Sequence, residues 1–155
     1  MSVWRRFDNH GFPSLITTNI ESRRPVFAAT ETVKLLLQVT AEVRSEARFQ
    51  LLAFVVMPDH IHLVLATPPN LTPGRVMGLM KGRFSNRYNR ATGRRGSLWQ
   101  SRYHERALRS ERELIAAIEY VHNNPVKAGI TSQAESFPWS SANSAYQTDL
   151  AAYLG

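Results

Sequence analysis

Leu51-Leu52-Ala53-Phe54-Val55-Val56-Met57-Pro58-Asp59-His60-Ile61-His62-Leu63-Val64-Leu65-Ala66 is the stretch on which the fold turns. Leu51 to Val56 and Ile61 to Ala66 are short apolar runs. Met57-Pro58-Asp59 between them is a turn signal, since Pro fixes its own φ and Asp bonds nearby backbone. Two such runs around one break predict adjacent strands of a buried hairpin. Alternate side chains of a strand share a face, so His60 and His62 point together while Ile61 faces the core.

Outward from the hairpin, the chain alternates between strand and helix signals without internal repeats. Leu15 to Ile20, after Gly11 and Pro13, reads as a first strand. Glu31 to Phe49 carries Val33, Leu36, Leu37, Val43 and Ala47 near helical spacing and predicts a first helix. Thr72-Pro73 starts a second, with Thr as N-cap and Pro at the first helical position; it is expected to end near Asn89. Met77, Met80, Phe84 and Tyr88 form one face of it, and Arg83, Arg87, Arg90 and Arg94 a neighbouring stripe, with Thr92 to Gly96 as a basic loop. Arg102 to Leu108 is a candidate strand. Ser110 and Glu113 make a capping box before a last long helix with a Leu114, Ile118, Val121 core stripe, expected to stop at Asn124-Pro125. Beyond Ile130 the chain is polar, and Pro138-Trp139 is expected to pack back. This order predicts an α+β fold, an antiparallel sheet with helices packed on it.

Composition narrows the class. At 155 residues with 43% hydrophobic and 20% charged residues, one domain with a single core is expected. Cysteine is absent, which excludes disulfide scaffolds, thiolate zinc sites and cysteine nucleophiles. No apolar run approaches the roughly 20 residues that span a bilayer, and no apolar block follows Arg5-Arg6, so a soluble cytoplasmic protein without a membrane partner is expected. The 19 cations outnumber 12 acids, and all but Lys34, Lys81 and Lys127 are arginine. Between Arg75 and Arg112 lie eleven cations and only Glu105 and Glu111 against them. Arginine's planar fork suits phosphate oxygens and stacks on bases, so the tract reads as a nucleic-acid footprint; the plain alternative is a solvated surface.

His60 and His62 would have side-chain origins about 7 Å apart, a separation two imidazoles can close onto one metal ion. The plain alternative is two polar residues on a half-exposed strand. On the last helix Tyr120 and Asn124 are i, i+4 neighbours on one face, flanking the core stripe, where a phenol and an amide could be aimed at the histidines. Tyr120 also reads as a boundary aromatic, and Asn before Pro as a helix end. His10, His104 and His122 are further candidates, although His122 points to a different helix face from Tyr120.

These residues together resemble a known family. Arg5-Arg6-Phe7, Val56-Met57-Pro58-Asp59-His60-Ile61-His62, Leu98-Trp99-Gln100 and Tyr120-Val121-His122-Asn123-Asn124-Pro125-Val126-Lys127-Ala128-Gly129 are similar to the REP-associated tyrosine transposases. Those belong to the single-tyrosine HUH endonucleases, related to the transposases of the smallest bacterial insertion sequences. The resemblance runs from about Trp4 to Tyr146. It implies an HUH-endonuclease fold of ferredoxin-like architecture and a divalent ion, Mn²⁺ or Mg²⁺, held by His60, His62 and Asn124. It implies Tyr120 as the nucleophile on single-stranded DNA beside a hairpin, leaving a 5′-phosphotyrosine and a free 3′-hydroxyl.

A phenol is a weak nucleophile at neutral pH and needs a neighbouring cation or base. A metal on the histidines would polarise the scissile phosphate. Arg5, Arg6, Arg83, Arg87, Arg90, Arg94, Arg95 and Arg102 are the expected DNA contacts, and Asp59 and Glu105 the expected groups orienting the metal ligands or DNA. A monomer using its own Tyr120 is expected, against a dimer exchanging tyrosines. Alternatives of other kinds are a hairpin-DNA-binding protein without catalysis, a relaxase or rolling-circle initiator, and a small RNA-binding domain with an incidental histidine pair.

Overall fold

The computed structural model describes residues 11–155. Its sheet has four strands, β1 (Ser14–Asn19), β2 (Gln50–Met57), β3 (His60–Ala66) and β4 (His104–Ala107), in the order β2-β3-β1-β4. Every neighbouring pair is antiparallel. The β2–β3 hairpin closes through Pro58 and Asp59, with Met57 opposite His60. Two interleaved crossovers complete the sheet. One runs from β1 through α1 (Thr30–Ala47) to β2, and the other from β3 through α2 (Pro73–Thr92) to β4. Crossovers of the same hand running in opposite directions put both helices on one face. The α+β fold with an antiparallel sheet is the architecture the sequence predicts.

Alternation along the strands divides the interior into two cores. Ile16, Ile20, Phe54, Val56, Ile61, Leu63 and Leu65 meet α1 and α2 on the first face, with Met77, Met80 and Phe84 from α2. Ala53, Val55, Met57 and Val64 meet Leu114, Ala117, Ile118 and Val121 of α3 (Glu111–Lys127) on the second. A register shift between Leu51 and Ala53 resets the alternation of β2, sending Leu51 to one core and Leu52 and Ala53 to the other. Coverage on both sides explains why β2 and β3 read as unbroken apolar runs. The expected single core is therefore two, one on each side of the sheet.

Several boundaries differ from the sequence reading. Thr72 caps α2 as expected, its side chain accepting from the Arg75 amide, but the helix continues through Thr92 and stops at Gly93, with φ of 73°. α3 begins at the Ser110 cap, which accepts from the Glu113 amide at 3.1 Å. It does not end at Asn124-Pro125. Pro125 is buried inside the last turn. The stop lies at Gly129, with φ of 75°; Gly129 N–H donates to Val126 O and Ile130 N–H to Pro125 O. These are the paired bonds of a helix closed by a left-handed glycine. Pro125 forgoes its ladder bond to Val121 without stopping the helix, and the left-handed glycine ends it.

The C-terminal segment packs back along the outer edge of β2. Val56 N–H donates to Trp139 O at 2.8 Å, Ser141 N–H to Phe54 O at 3.0 Å, and Asp149 N–H to Leu51 O at 2.8 Å. The short α4 (Leu150–Leu154), unmarked in the sequence reading, follows Asp149, whose carboxylate also accepts from Arg44 and the Leu51 amide. An edge strand that would otherwise offer unpaired backbone is thereby covered.

Candidate active site

The histidine pair sits at the start of β3, on the face covered by α3. His62 is opposite Thr17 of β1, and its Nδ1 lies 2.7 Å from Thr17 Oγ1. His60 Nδ1 donates to Asp59 Oδ1 at 2.7 Å, and Arg23 Nε donates to Asp59 Oδ2 at 2.9 Å. Each imidazole thus has Nδ1 engaged, and a ring whose Nδ1 carries the hydrogen presents its Nε2 lone pair outward. The two rings are 4.9 Å apart at their centroids, nearly edge to face.

Burial and charge act together on these groups. His62 is only 3% exposed, and burial, then the charges of His60 and Arg23, push its pKa down to about 4. It is therefore neutral, the form a metal ligand requires, throughout the physiological range. Burial pushes the Asp59 carboxyl up, but hydrogen bonds from Arg23 and His60 outweigh this and hold it below its ordinary value. Arg23 reaches Asp59 from a tight turn in which Ser22 and Arg23 take φ of 59° and 54°. Two consecutive non-glycine residues in the left-handed region store strain of about 1–3 kcal/mol each, here beside the histidines.

Tyr120 projects from the flank of α3. Its ring lies 5.4 Å from that of His62, tilted 74°, while 45% of the residue stays open to solvent. A phenol that touches the histidine pair and still faces outward can meet a polymer substrate. Asn124, one turn further on, is half-buried, and its carboxamide has no hydrogen-bond partner among the described residues. Of the two alanines near Tyr120, Ala117 is part of the core and Ala116 is exposed.

The donor set fits a divalent ion in part. Two imidazoles with free Nε2 atoms and an unpartnered carboxamide are suitable ligands, whereas among the described residues no group of three or more His, Cys, Asp or Glu could hold a metal. Hence His104, His122 and the acids do not join the pair. His122 Nε2 lies 2.7 Å from Ser141 Oγ, tying α3 to the C-terminal segment, and burial lowers its pKa. Glu105, expected near the metal, lies opposite Ile16 and so points to the other face of the sheet.

The arginine stripe is also divided. Arg87 makes two hydrogen bonds of 2.8 Å to the Glu42 carboxylate of α1, and Arg83 contacts Glu42 at 3.1 Å and Glu46 at 2.7 Å. These two, expected on DNA, clamp α2 to α1 in the free protein. Arg94 lies beyond the helix and donates to Ser97 O at 3.0 Å. Arg90, Arg95 and Arg102 are exposed, and Arg5 and Arg6 lie outside the described residues. Thr17 and Arg23 are site residues that the sequence reading missed, because strand register and a left-handed turn without glycine leave no local signal.

Comparisons with known proteins bear on this arrangement. Residues 15–124, from β1 through Asn124, match the family described as "Transposase IS200 like". The REP-associated tyrosine transposase of Escherichia coli (strain K12) is 27% identical over 90% of this chain and 82% of its own length. A putative REP-associated tyrosine transposase of Haemophilus influenzae is 29% identical over 60% of this chain and 58% of its own. A solved REP-associated tyrosine transposase bound to a REP hairpin superposes with a TM-score of 0.74 at 26% identity, covering 89% of this chain and 84% of that one. A putative transposase from Deinococcus radiodurans, at 22% identity and a TM-score of 0.55 over 72% of this chain and 88% of its own, shares the fold. Among the described residues no helix is long and apolar enough to cross a membrane. The matched region takes in both histidines, Tyr120 and Asn124, and the chain belongs to the IS200-like transposase family.

Proposed function

We propose that this transposase cuts and rejoins single-stranded DNA beside a REP-like hairpin, with Tyr120 as nucleophile and a divalent ion, Mn²⁺ or Mg²⁺, held by His60, His62 and Asn124. The observation that carries the reading is the exposed Tyr120 ring within 5.4 Å of His62 in the same chain. That proximity supports a tyrosine acting within its own subunit, so a monomer suffices. Hairpin recognition is supported by the solved relative bound to a REP hairpin.

Tyr120 Oη attacks the scissile phosphorus, the bond from phosphorus to the 3′-oxygen breaks, the phenol proton leaves to water and the 3′-oxygen takes one up. The product is a 5′-phosphotyrosine and a 3′-hydroxyl. Reversal by an incoming 3′-hydroxyl restores a phosphodiester and the free phenol, so no nucleotide cofactor is required. The ion, when bound, supplies a positive centre for charge developing on the phosphate oxygens. Imidazole with a carboxamide and phosphate oxygens is a mixed donor set, which favours Mn²⁺ over Mg²⁺. Asp59 and Thr17 keep the imidazoles aimed, and Arg23 keeps Asp59 ionised.

Labelled single-stranded hairpin DNA from beside the gene, incubated with Mn²⁺, Mg²⁺ or EDTA and run on a denaturing protein gel, tests this. A metal-dependent covalent adduct is expected with the wild type, falling by about 10³-fold or more in Tyr120→Phe and in His60→Ala. Tight binding with no adduct in any metal would overturn the nuclease reading in favour of a binding protein.

A further inference from the structure

β4 sorts its charges by face. Thr17, which bonds His62, lies opposite His104, so His104 shares the face of the histidine pair. Arg106 lies opposite Leu15, two residues from Thr17, and shares that face as well. Glu105 between them goes to the face of α1 and α2, where its charge raises the pKa of Tyr103 alongside burial. The cation and imidazole of β4 therefore turn toward the site and its carboxylate away.

Among the described residues, α3 packs on β2 and β3, with Leu15 of β1 against the same core, and leaves the rest of the site-side surface of β1 and β4 uncovered. Arg106 is exposed and has no ion-pair partner among the described residues, in contrast to Arg83 and Arg87. Two strand spacings separate His104 from His62, a backbone distance of about 10 Å. A flat surface with a free guanidinium at its rim and polar Thr17 beside the histidines suits an unpaired strand, whose bases can lie on the sheet while phosphates run past the edge.

Resting on the transposase reading above, the geometry points to the open β1–β4 surface as the track for the single-stranded flank of the DNA, with Arg106 on a backbone phosphate and His104 stacking on the adjoining base. The α2 stripe does not supply this contact, because its inner arginines are already paired.

Binding of a fluorescent hairpin with a single-stranded flank, measured by anisotropy across a salt series, tests the track. Losing one phosphate contact to a single strand lowers the slope of log K against log salt by about 0.7, which near 0.1 M salt is about fivefold in affinity. Arg106→Gln should show this loss, and the charge-matched Arg48→Gln at the exposed C-terminal cap of α1 should not. The Arg106→Gln effect should vanish on a hairpin lacking the flank, and His104→Ala should weaken only the flanked substrate. Equal losses in Arg106→Gln and Arg48→Gln, or a loss that persists without the flank, would overturn the track while leaving the cleavage reading intact. Failure of the wild type to bind or cut any hairpin would overturn the cleavage reading and, with it, the track.

Discussion

The two faces of the sheet carry opposite burdens. On one, α1 and α2 close an apolar core and lock to each other through Glu42, Glu46, Arg83 and Arg87. On the other, α3 covers only half the sheet and leaves His60, Thr17, His104 and Tyr120 reachable. The strands serve both, because alternation lets one residue stabilise and its neighbour act. Ile61 is buried in the first core while His60 and His62, on either side of it, form the site.

The sharpest way to break this division is to damage the closed face alone. Phe84 is fully buried and packs its ring 5.6 Å from Phe27 and 5.7 Å from Trp99. Phe84→Ala should cost about 3–5 kcal/mol in urea unfolding followed by tryptophan fluorescence. Out of a total stability of about 5–15 kcal/mol, that exceeds the loss expected from any single exposed residue on the site side. A loss below about 1 kcal/mol would mean that the closed face is not where stability resides.

A smaller effect is expected from Thr17→Val, which keeps shape but removes the oxygen 2.7 Å from His62 Nδ1. Partners of this kind fix the ring and its tautomer, and their removal typically costs 10–100-fold in metal affinity, roughly 1.4–2.8 kcal/mol. Mn²⁺ affinity, read by electron paramagnetic resonance without DNA, should fall by about that factor and return in Thr17→Ser. Leaving Nδ1 unpaired should also cost about 1–3 kcal/mol of stability. Unchanged Mn²⁺ affinity in Thr17→Val would show that Thr17 does not position His62 for metal.

What the sequence revealed follows the same line between local and distant information. The hairpin was legible because its signal is local, two apolar runs and a Pro-Asp turn, and so were the Ser110 cap and the i, i+4 relation of Tyr120 and Asn124. Thr17 was not, since only the register of β1 against β3 sets it opposite His62. The ion pairs of the α2 stripe were missed for the opposite reason. Its spacing was seen, but a helical stripe does not say what faces it. The answering pattern lay in the chain, as Glu42 and Glu46 have the same i, i+4 spacing as Arg83 and Arg87. Matching two helices by complementary charge would have assigned those arginines to packing, and the exposed Arg106 of β4 would then have stood out.

The smallest effect concerns that same clamp and separates structural arginine from DNA-binding arginine. Hydrogen bonds from Arg87 and then Arg83 hold the Glu42 carboxyl at about 2, against burial, which raises it. Its ordinary value is 4.5, so the folded protein binds this proton less readily than the unfolded chain does. The resulting stabilisation is fully present above pH 4.5 and is lost as pH falls from there through about 2. Glu42→Gln should therefore be less stable than the wild type at pH 7, and the gap should narrow on acidification through that window. High salt should also shrink it, because the clamp is partly exposed. Hairpin binding should keep its salt slope in this variant. A gap that stays constant down to pH 2 would show that the arginines do not hold Glu42 ionised, returning Arg83 and Arg87 to the pool of cations free to meet DNA.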